Sequence, residues 1–345
     1  MQSYNFLDLN KFLLAILLVC AHTVSEQVTV HPLLDMCFSL YIVVVPFFFT
    51  TSAFLFFKKI NNIEEQNIRI DSWKHWSKRI LSMYGIWSAI YFVFVLITWY
   101  QQGITIKEFL TWLLHAIFFT TYATIWFLPA LWVAVSISFY LVHIRKYGIG
   151  IVLSLAALTY IVGNLMYTYG ENCTGIIKTI NDSYKSVFST WRNGFFNGFV
   201  FASLGCAISK WGVGLFSPKK YFWGSLLWGI AFVAEAFLTK HIQPKADANF
   251  LFSLIPFTFF FVNLVLCTPL DDSPIWITMR KMSLLIFVSQ RIFLLAIPSV
   301  LHGRSVWSFF SNPYMQLLSV VVATLLLSYS ILLLSKKIPC LKRLM

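Results

Sequence analysis

Charge is scarce in this 345-residue chain: Asp, Glu, Lys and Arg together make up 11% of it, and only 13 residues are acidic. A soluble domain carries about a quarter charged residues, so a chain whose whole surface faces water is excluded. Glycine (15) and proline (11) are thin too, and no linker, repeat or low-complexity tract interrupts the sequence. The six cysteines, Cys20, Cys37, Cys173, Cys206, Cys267 and Cys340, form no CxxC pair and no zinc-like spacing. Neither a disulfide framework nor a metal site is indicated. The first apolar run holds Cys20, His22 and Glu26 and lacks a small-residue cleavage site, so it is expected to stay as a span rather than leave as a signal peptide.

What fills the chain is apolar surface: 59% of residues are hydrophobic, 18% aromatic, and the mean hydropathy is +0.75. A spanning helix needs about 20 predominantly apolar residues. That ruler gives ten segments, at 10–29, 33–57, 79–100, 124–144, 149–169, 193–210, 221–239, 250–270, 283–300 and 314–335. They leave no room for a separate aqueous domain. The expectation is an all-α polytopic protein, one membrane-embedded domain over residues 1–345, multi-pass in the cell membrane of a bacterium and in contact with its lipids.

The excess of 26 basic over 13 acidic residues would hint at nucleic acid in a soluble chain, but in a membrane chain it marks the cytosolic side. No nucleic-acid partner is expected. With the N-terminus cytosolic, 18 of the 26 basic residues fall inside, from Lys11 through the 58–79 loop to Lys342 and Arg343. Both termini are therefore expected in the cytosol. The outer segment 104–122 is apolar but broken by Lys107, Glu108 and His115, which fits a helix lying along or dipping into the outer leaflet.

An ionisable group inside a span is costly unless it is paired or faces a polar cavity. Lys11 and His22 are eleven residues apart, about three turns plus 20°, so they share a helix face with roughly 16 Å between them. Asp8 and Glu26 extend that stripe at i−3 and i+4. A histidine oriented by a carboxylate suits a general base acting on a hydroxyl, whereas the plainer reading makes His22 interhelical glue. Arg192 is a ligand group or a snorkelling interfacial arginine. Glu235, inside the seventh span, needs a cation or a proton. Gln290 and Arg291 add polarity to the ninth span, so these residues read either as a polar cavity for an anionic or hydroxylated ligand or as structural pairs. The other histidines, His31, His75, His115, His143, His241 and His302, lie in loops or near span ends and read as interfacial or solvated.

Several of these strings resemble one family. Asp8-x-x-Lys11, ten residues and then His22-Thr23 resemble the opening of the acyltransferase-3 family of integral membrane acyltransferases. The run Pro46 to Leu55 is similar to its aromatic second span, with Ala53 where glycine is common. Trp126-Phe127-Leu128-Pro129-Ala130 and Arg192-Asn193-Gly194-Phe195 are similar to two further family strings. The run from Met282 resembles a late segment that commonly ends in histidine, here Gln290, and Lys74, Lys78 and Arg79 stand where some members have Arg-x-x-Arg.

The resemblance implies transfer of an acyl group, usually acetyl, from cytosolic acyl-coenzyme A to a hydroxyl of a cell-envelope glycan or lipid-linked sugar. Acyl-coenzyme A is then a co-substrate, and no bound cofactor is implied. Lys11, Lys74, Lys78 and Arg79 would attract its phosphates. His22 would serve as base or transient acyl carrier, with Glu26 orienting its ring. Arg192, Glu235, Gln290 and Arg291 would line the acceptor side. Ten spans with buried charges also suit a transporter or flippase of a lipid-linked sugar or anionic solute, or a sensor built on an inactive acyltransferase scaffold.

Overall fold

The computed structural model describes residues 4–27, 40–122, 124–170, 173–242, 250–301 and 312–345, and every regular element among them is helical. In chain order these are α1 (Asn5–Gln27), α2 (Val44–Asn61), α3 (Gln66–Gln102), α4 (Ile106–Phe118), α5 (Phe127–Phe139) and α6 (Ile149–Asn164). There follow α7 (Gly175–Phe188), α8 (Phe199–Trp211), α9 (Pro218–Ile242), α10 (Leu254–Cys267), α11 (Pro274–Leu301) and α12 (Pro313–Leu334). Seven of these helices are long and apolar enough to cross a membrane: α1, α2, α3, α5, α6, α9 and α12. The remaining expected segments are occupied by α8, α10 and α11.

Two elements differ instructively from their hydropathy outlines. Helix α3 has 37 residues, about 55 Å of rise against a hydrocarbon core near 30 Å. Its first turns, Gln66 to Lys78, are polar and mostly exposed, so the helix carries on into water where hydropathy sees a loop. Helix α4 has 13 residues, too few to span. It starts on a capping box in which Thr105 and Glu108 satisfy each other's backbone N–H groups, and its Ile106 and Ile117 are exposed. This is the shape expected of segment 104–122. Helix α7, also short, lies between the fifth and sixth expected spans, where no helix was anticipated.

The chain divides into two compact units, Met1–Val44 with Thr268–Met345, and Val45–Cys267. In the first unit α1, α11 and α12 pack on one another. In the second, α5 and α6 both pack on α8, α3 packs on α5, and α9 pairs with α10. The α9–α10 hairpin is tied at its turn by Glu235, whose two carboxylate oxygens accept the backbone N–H groups of Phe252 and Ser253, both at 2.8 Å, and which also bonds the Ser253 hydroxyl. Expected to need a cation or a proton, Glu235 is instead matched by amides left unpaired ahead of α10.

Small residues set the closest approaches. A Cβ on Gly205 of α8 would sit 2.2 Å from the Thr50 carbonyl oxygen and 2.9 Å from the Ala53 Cβ on α2. The glycine common at position 53 in the resembled family is absent here, and the gap is supplied from the facing helix. Because the obstruction is backbone, Gly205→Ala is expected to destabilise the protein by about 2 kcal/mol, read as a lower melting temperature in detergent. Gly150→Ala, with open space around its Cβ, should leave the melt unchanged.

Candidate functional site

Helix α1 continues unbroken from Asn5 to Gln27, so Lys11 and His22 do lie on one helical face. Its polar residues are received by α11 and the loop before it. Asn5 Nδ2 donates to the carbonyl oxygens of Leu270 (3.0 Å) and Asp271 (3.3 Å) and to Asp272 Oδ1 (2.8 Å). One turn on, Asp8 accepts from Arg280, with Nε 2.9 Å from each carboxylate oxygen and a second guanidinium nitrogen 2.6 Å from Oδ2. Asp8 is 3% exposed, and a carboxylate so enclosed needs both a cation and hydrogen bonds. Lys11, buried at 9% exposure, lies one turn above Asp8.

Further along, His22 Nδ1 lies 3.1 Å from Gln290 Oε1. The contacts pair 5 with 272, 8 with 280 and 22 with 290, so α1 and α11 run parallel and their first residues share one end of the unit.

Gln290 explains why its amide suits this place. It is 2% exposed, and its Nε2 donates to the Phe287 carbonyl 2.9 Å away, one turn back on its own helix. That bond turns the amide oxygen towards His22, and an oxygen can only accept. A neutral imidazole in this contact carries its proton on Nδ1 and its lone pair on Nε2. Tyr41 packs edge-on against the ring at 5.8 Å between centroids. Thr23 is turned away, its hydroxyl donating to the Val19 carbonyl at 2.8 Å. The side chain of Glu26, expected to orient His22, lies outside the described residues, as do His31 and His302. Gln290 is the described residue that meets the ring at Nδ1.

The remaining candidates belong to the second unit, apart from Arg291, which follows Gln290 on α11 and is half-buried. Lys74 bonds Asp71 at 3.3 Å on the exposed end of α3, and Lys78 and Arg79 are exposed beside it. Arg192 places its guanidinium 5.1 Å from the Trp126 ring centre, a cation–π contact. This joins two of the strings singled out above. Gly194, next in the second string, packs so closely that a Cβ would lie 2.4 Å from the Ala130 carbonyl oxygen. Asn193 caps the π-helical turn Gly194–Gly198, its Oδ1 accepting from the N–H groups of Phe195 (2.9 Å) and Phe196 (3.0 Å).

One sequence expectation is overturned here. His143 is not solvated but 6% exposed, between the rings of Phe57 (5.8 Å) and Phe139 (5.5 Å). The α5 helix continues as a π-helical turn, Tyr140–Ile144, and this turn carries His143 inward. Sequence reasoning also missed Arg280 as the partner of Asp8, since 272 residues separate them and only Lys11 was a local neighbour.

Residues 4–333 match the family model described as an acyltransferase domain, acyltransferase-3. An amino-acid racemase of Enterococcus faecalis is 29% identical over 233 residues, which cover 64% of this chain and 29% of that protein. The chain thus spans under a third of the length of the curated relative it matches. No solved structure matches.

If the Asp8–Arg280 pair holds α1 against α11, Arg280→Met should destabilise the protein by about 2 kcal/mol, because a buried carboxylate is left without its cation. Lys74→Met, breaking an exposed pair, should cost well under 1 kcal/mol. Paired thermal melts in one detergent compare the two, and equal shifts would contradict the assignment.

Proposed function

Because the chain belongs to the acyltransferase-3 family of membrane acyltransferases, we propose that it moves an acyl group, acetyl in the simplest case, from cytosolic acyl-coenzyme A to a hydroxyl of a cell-envelope glycan or lipid-linked sugar. The observation that carries the reading is the His22–Gln290 contact, 3.1 Å long, which leaves Nε2 as the base. In this scheme Nε2 takes the proton of the acceptor hydroxyl as its oxygen attacks the thioester carbonyl. The carbon–sulfur bond then breaks, and the departing thiolate of coenzyme A recovers that proton from the imidazolium.

Lys11, roughly 16 Å from His22 along α1, draws the anionic coenzyme to the cytosolic end of the helix, and Lys74, Lys78 and Arg79 add a basic surface for its phosphates. Glu235 is left to its capping of α10. The topology that goes with this reading has ten spans and both termini in the cytosol of a bacterial cell. The parallel run of α1 and α11 supports it, because parallel spans require an odd number of crossings between them and the hydropathy count gives seven. The racemase relative adds amino acids to the acceptors to be assayed beside sugars.

The test is acyl transfer in proteoliposomes supplied with labelled acetyl-coenzyme A, following both label in the acceptor and release of free coenzyme A thiol. His22→Ala should lower kcat by about a hundredfold or more. Gln290→Leu, which frees the ring to take the other tautomer, should lower kcat by roughly tenfold with KM for acetyl-coenzyme A unchanged. Lys11→Met should instead raise that KM. Undiminished transfer by His22→Ala at equal expression would overturn the scheme, and solute movement without thiol release would point to a transporter.

A further inference from the structure

Helix α12 ends at Leu334, and after Ser335 the chain runs Lys336-Lys337-Ile338-Pro339-Cys340-Leu341-Lys342-Arg343-Leu344-Met345. Lys336, Lys337, Lys342 and Arg343 are basic, no residue of this tail is acidic, and no Asp or Glu occurs anywhere after Asp272. The four basic residues are all exposed, and none has an ion-pair partner among the described residues. A concentrated positive charge is therefore left for something outside the protein to balance.

The tail's own geometry sets where that partner lies. Leu333 and Leu334, the last residues of α12, are exposed, as the lipid-facing side of a span is, so the helix delivers the tail directly to the boundary between acyl chains and headgroups. Pro339, which cannot continue an α-helix, opens a 3₁₀ helix over Pro339–Leu344. Three residues make one turn of such a helix, and side chains at i and i+3 eclipse. Ile338, Leu341 and Leu344 thus form one apolar stripe, with Lys342 and Arg343 on either side of it. The protein does not bury this stripe: Ile338 is 43% exposed, and Leu341 and Leu344 are half-exposed.

Free in water, a basic segment would suit an acidic protein or a nucleic acid. This one is tethered two residues from the end of a spanning helix, and its stripe needs cover from water. A lipid leaflet meets both demands, with the acyl boundary for the leucines and isoleucine and phosphates for the flanking cations. A zwitterionic headgroup balances its own phosphate, whereas an anionic one leaves that charge to the protein. Clusters of about four to eight Lys or Arg beside a span are drawn to anionic surfaces for this reason.

We propose that residues 336–345 form a binding surface for anionic phospholipid headgroups of the leaflet in which α12 ends. Ile338, Leu341 and Leu344 sit at the acyl boundary, and Lys336, Lys337, Lys342 and Arg343 lie on the phosphates. Because α12 packs on α1 and α11, a tail held there also braces the unit that contains His22. The surface is independent of acyl transfer and stands whether or not that reading does.

The experiment is hydrogen–deuterium exchange of the full chain in nanodiscs, either of phosphatidylcholine alone or rich in phosphatidylglycerol, following the amides of residues 336–345. At low salt their exchange should be about fivefold slower or more in the phosphatidylglycerol discs, and high salt should shrink the difference. The variant K336Q/K337Q/K342Q/R343Q should exchange equally fast in both lipids. K336R/K337R/K342R, which keeps the charge, should behave as the unaltered chain does. Both variants change exposed side chains only, so their melting temperatures in phosphatidylcholine should be unchanged. Equal exchange in the two lipids, protection that survives in the glutamine variant, or loss of protection in the arginine variant would overturn the proposal. So would full protection in phosphatidylcholine, the mark of a tail folded on the protein itself. Protection that appears only when polyglutamate is added would assign the surface to an acidic protein instead.

Discussion

A carboxylate withdrawn from water near the end of a membrane helix has to find a cation, and Asp8 finds Arg280 in a multiply bonded pair. That requirement sets the register of α1 against α11, because the guanidinium fork fits a carboxylate in few orientations. Asn5, held to the 270–272 segment, repeats the constraint one turn earlier. With the lower rungs fixed, His22 and Gln290 have little choice but to meet further up. The polarity of a helix end thus becomes the geometry of an imidazole.

Gln290 then illustrates how an amide can do what a carboxylate does in many acid–base sites. It has both a donor and an acceptor, which would leave the histidine tautomer open, except that its own backbone takes the donor. The ambiguity is removed locally, within one turn of α11. The second unit uses the same device at Asn193, whose oxygen is engaged by two backbone amides so that its nitrogen must face Tyr184. In both places a primary amide fixed by backbone decides whether it meets its neighbouring side chain as acceptor or as donor.

Much of this was legible in the residues. The apolar runs located the seven helices long and apolar enough to cross a membrane, the eleven-residue interval placed Lys11 and His22 on one face, and the broken hydropathy of 104–122 marked a helix too short to span. The strings at 126–130 and 192–195 were recognisable, but that they pack on each other through Arg192, Trp126 and Gly194 was not. Periodicity reports what shares a helix and is silent about what faces it. For that reason Asp8 was assigned a neighbour on its own helix, whereas its partner lies on α11. Glu235 looked like an unmatched charge because backbone amides do not appear in a reading of side chains. His143 was misplaced because a π-helical turn rotates the register beyond it. Gln290 stood out only as a departure from histidine, and its value as an orienting group needed the carbonyl of Phe287.

The most direct test of the account is the protonation of one ring. Nitrogen NMR of ¹⁵N-histidine-labelled protein in lipid bilayers, with the His22 signals assigned by difference against His22→Asn, reads the tautomer. The account predicts a neutral ring protonated on Nδ1 that loses this preference in Gln290→Leu. A ring protonated on Nε2, or one whose tautomer is the same with and without the Gln290 amide, would contradict it.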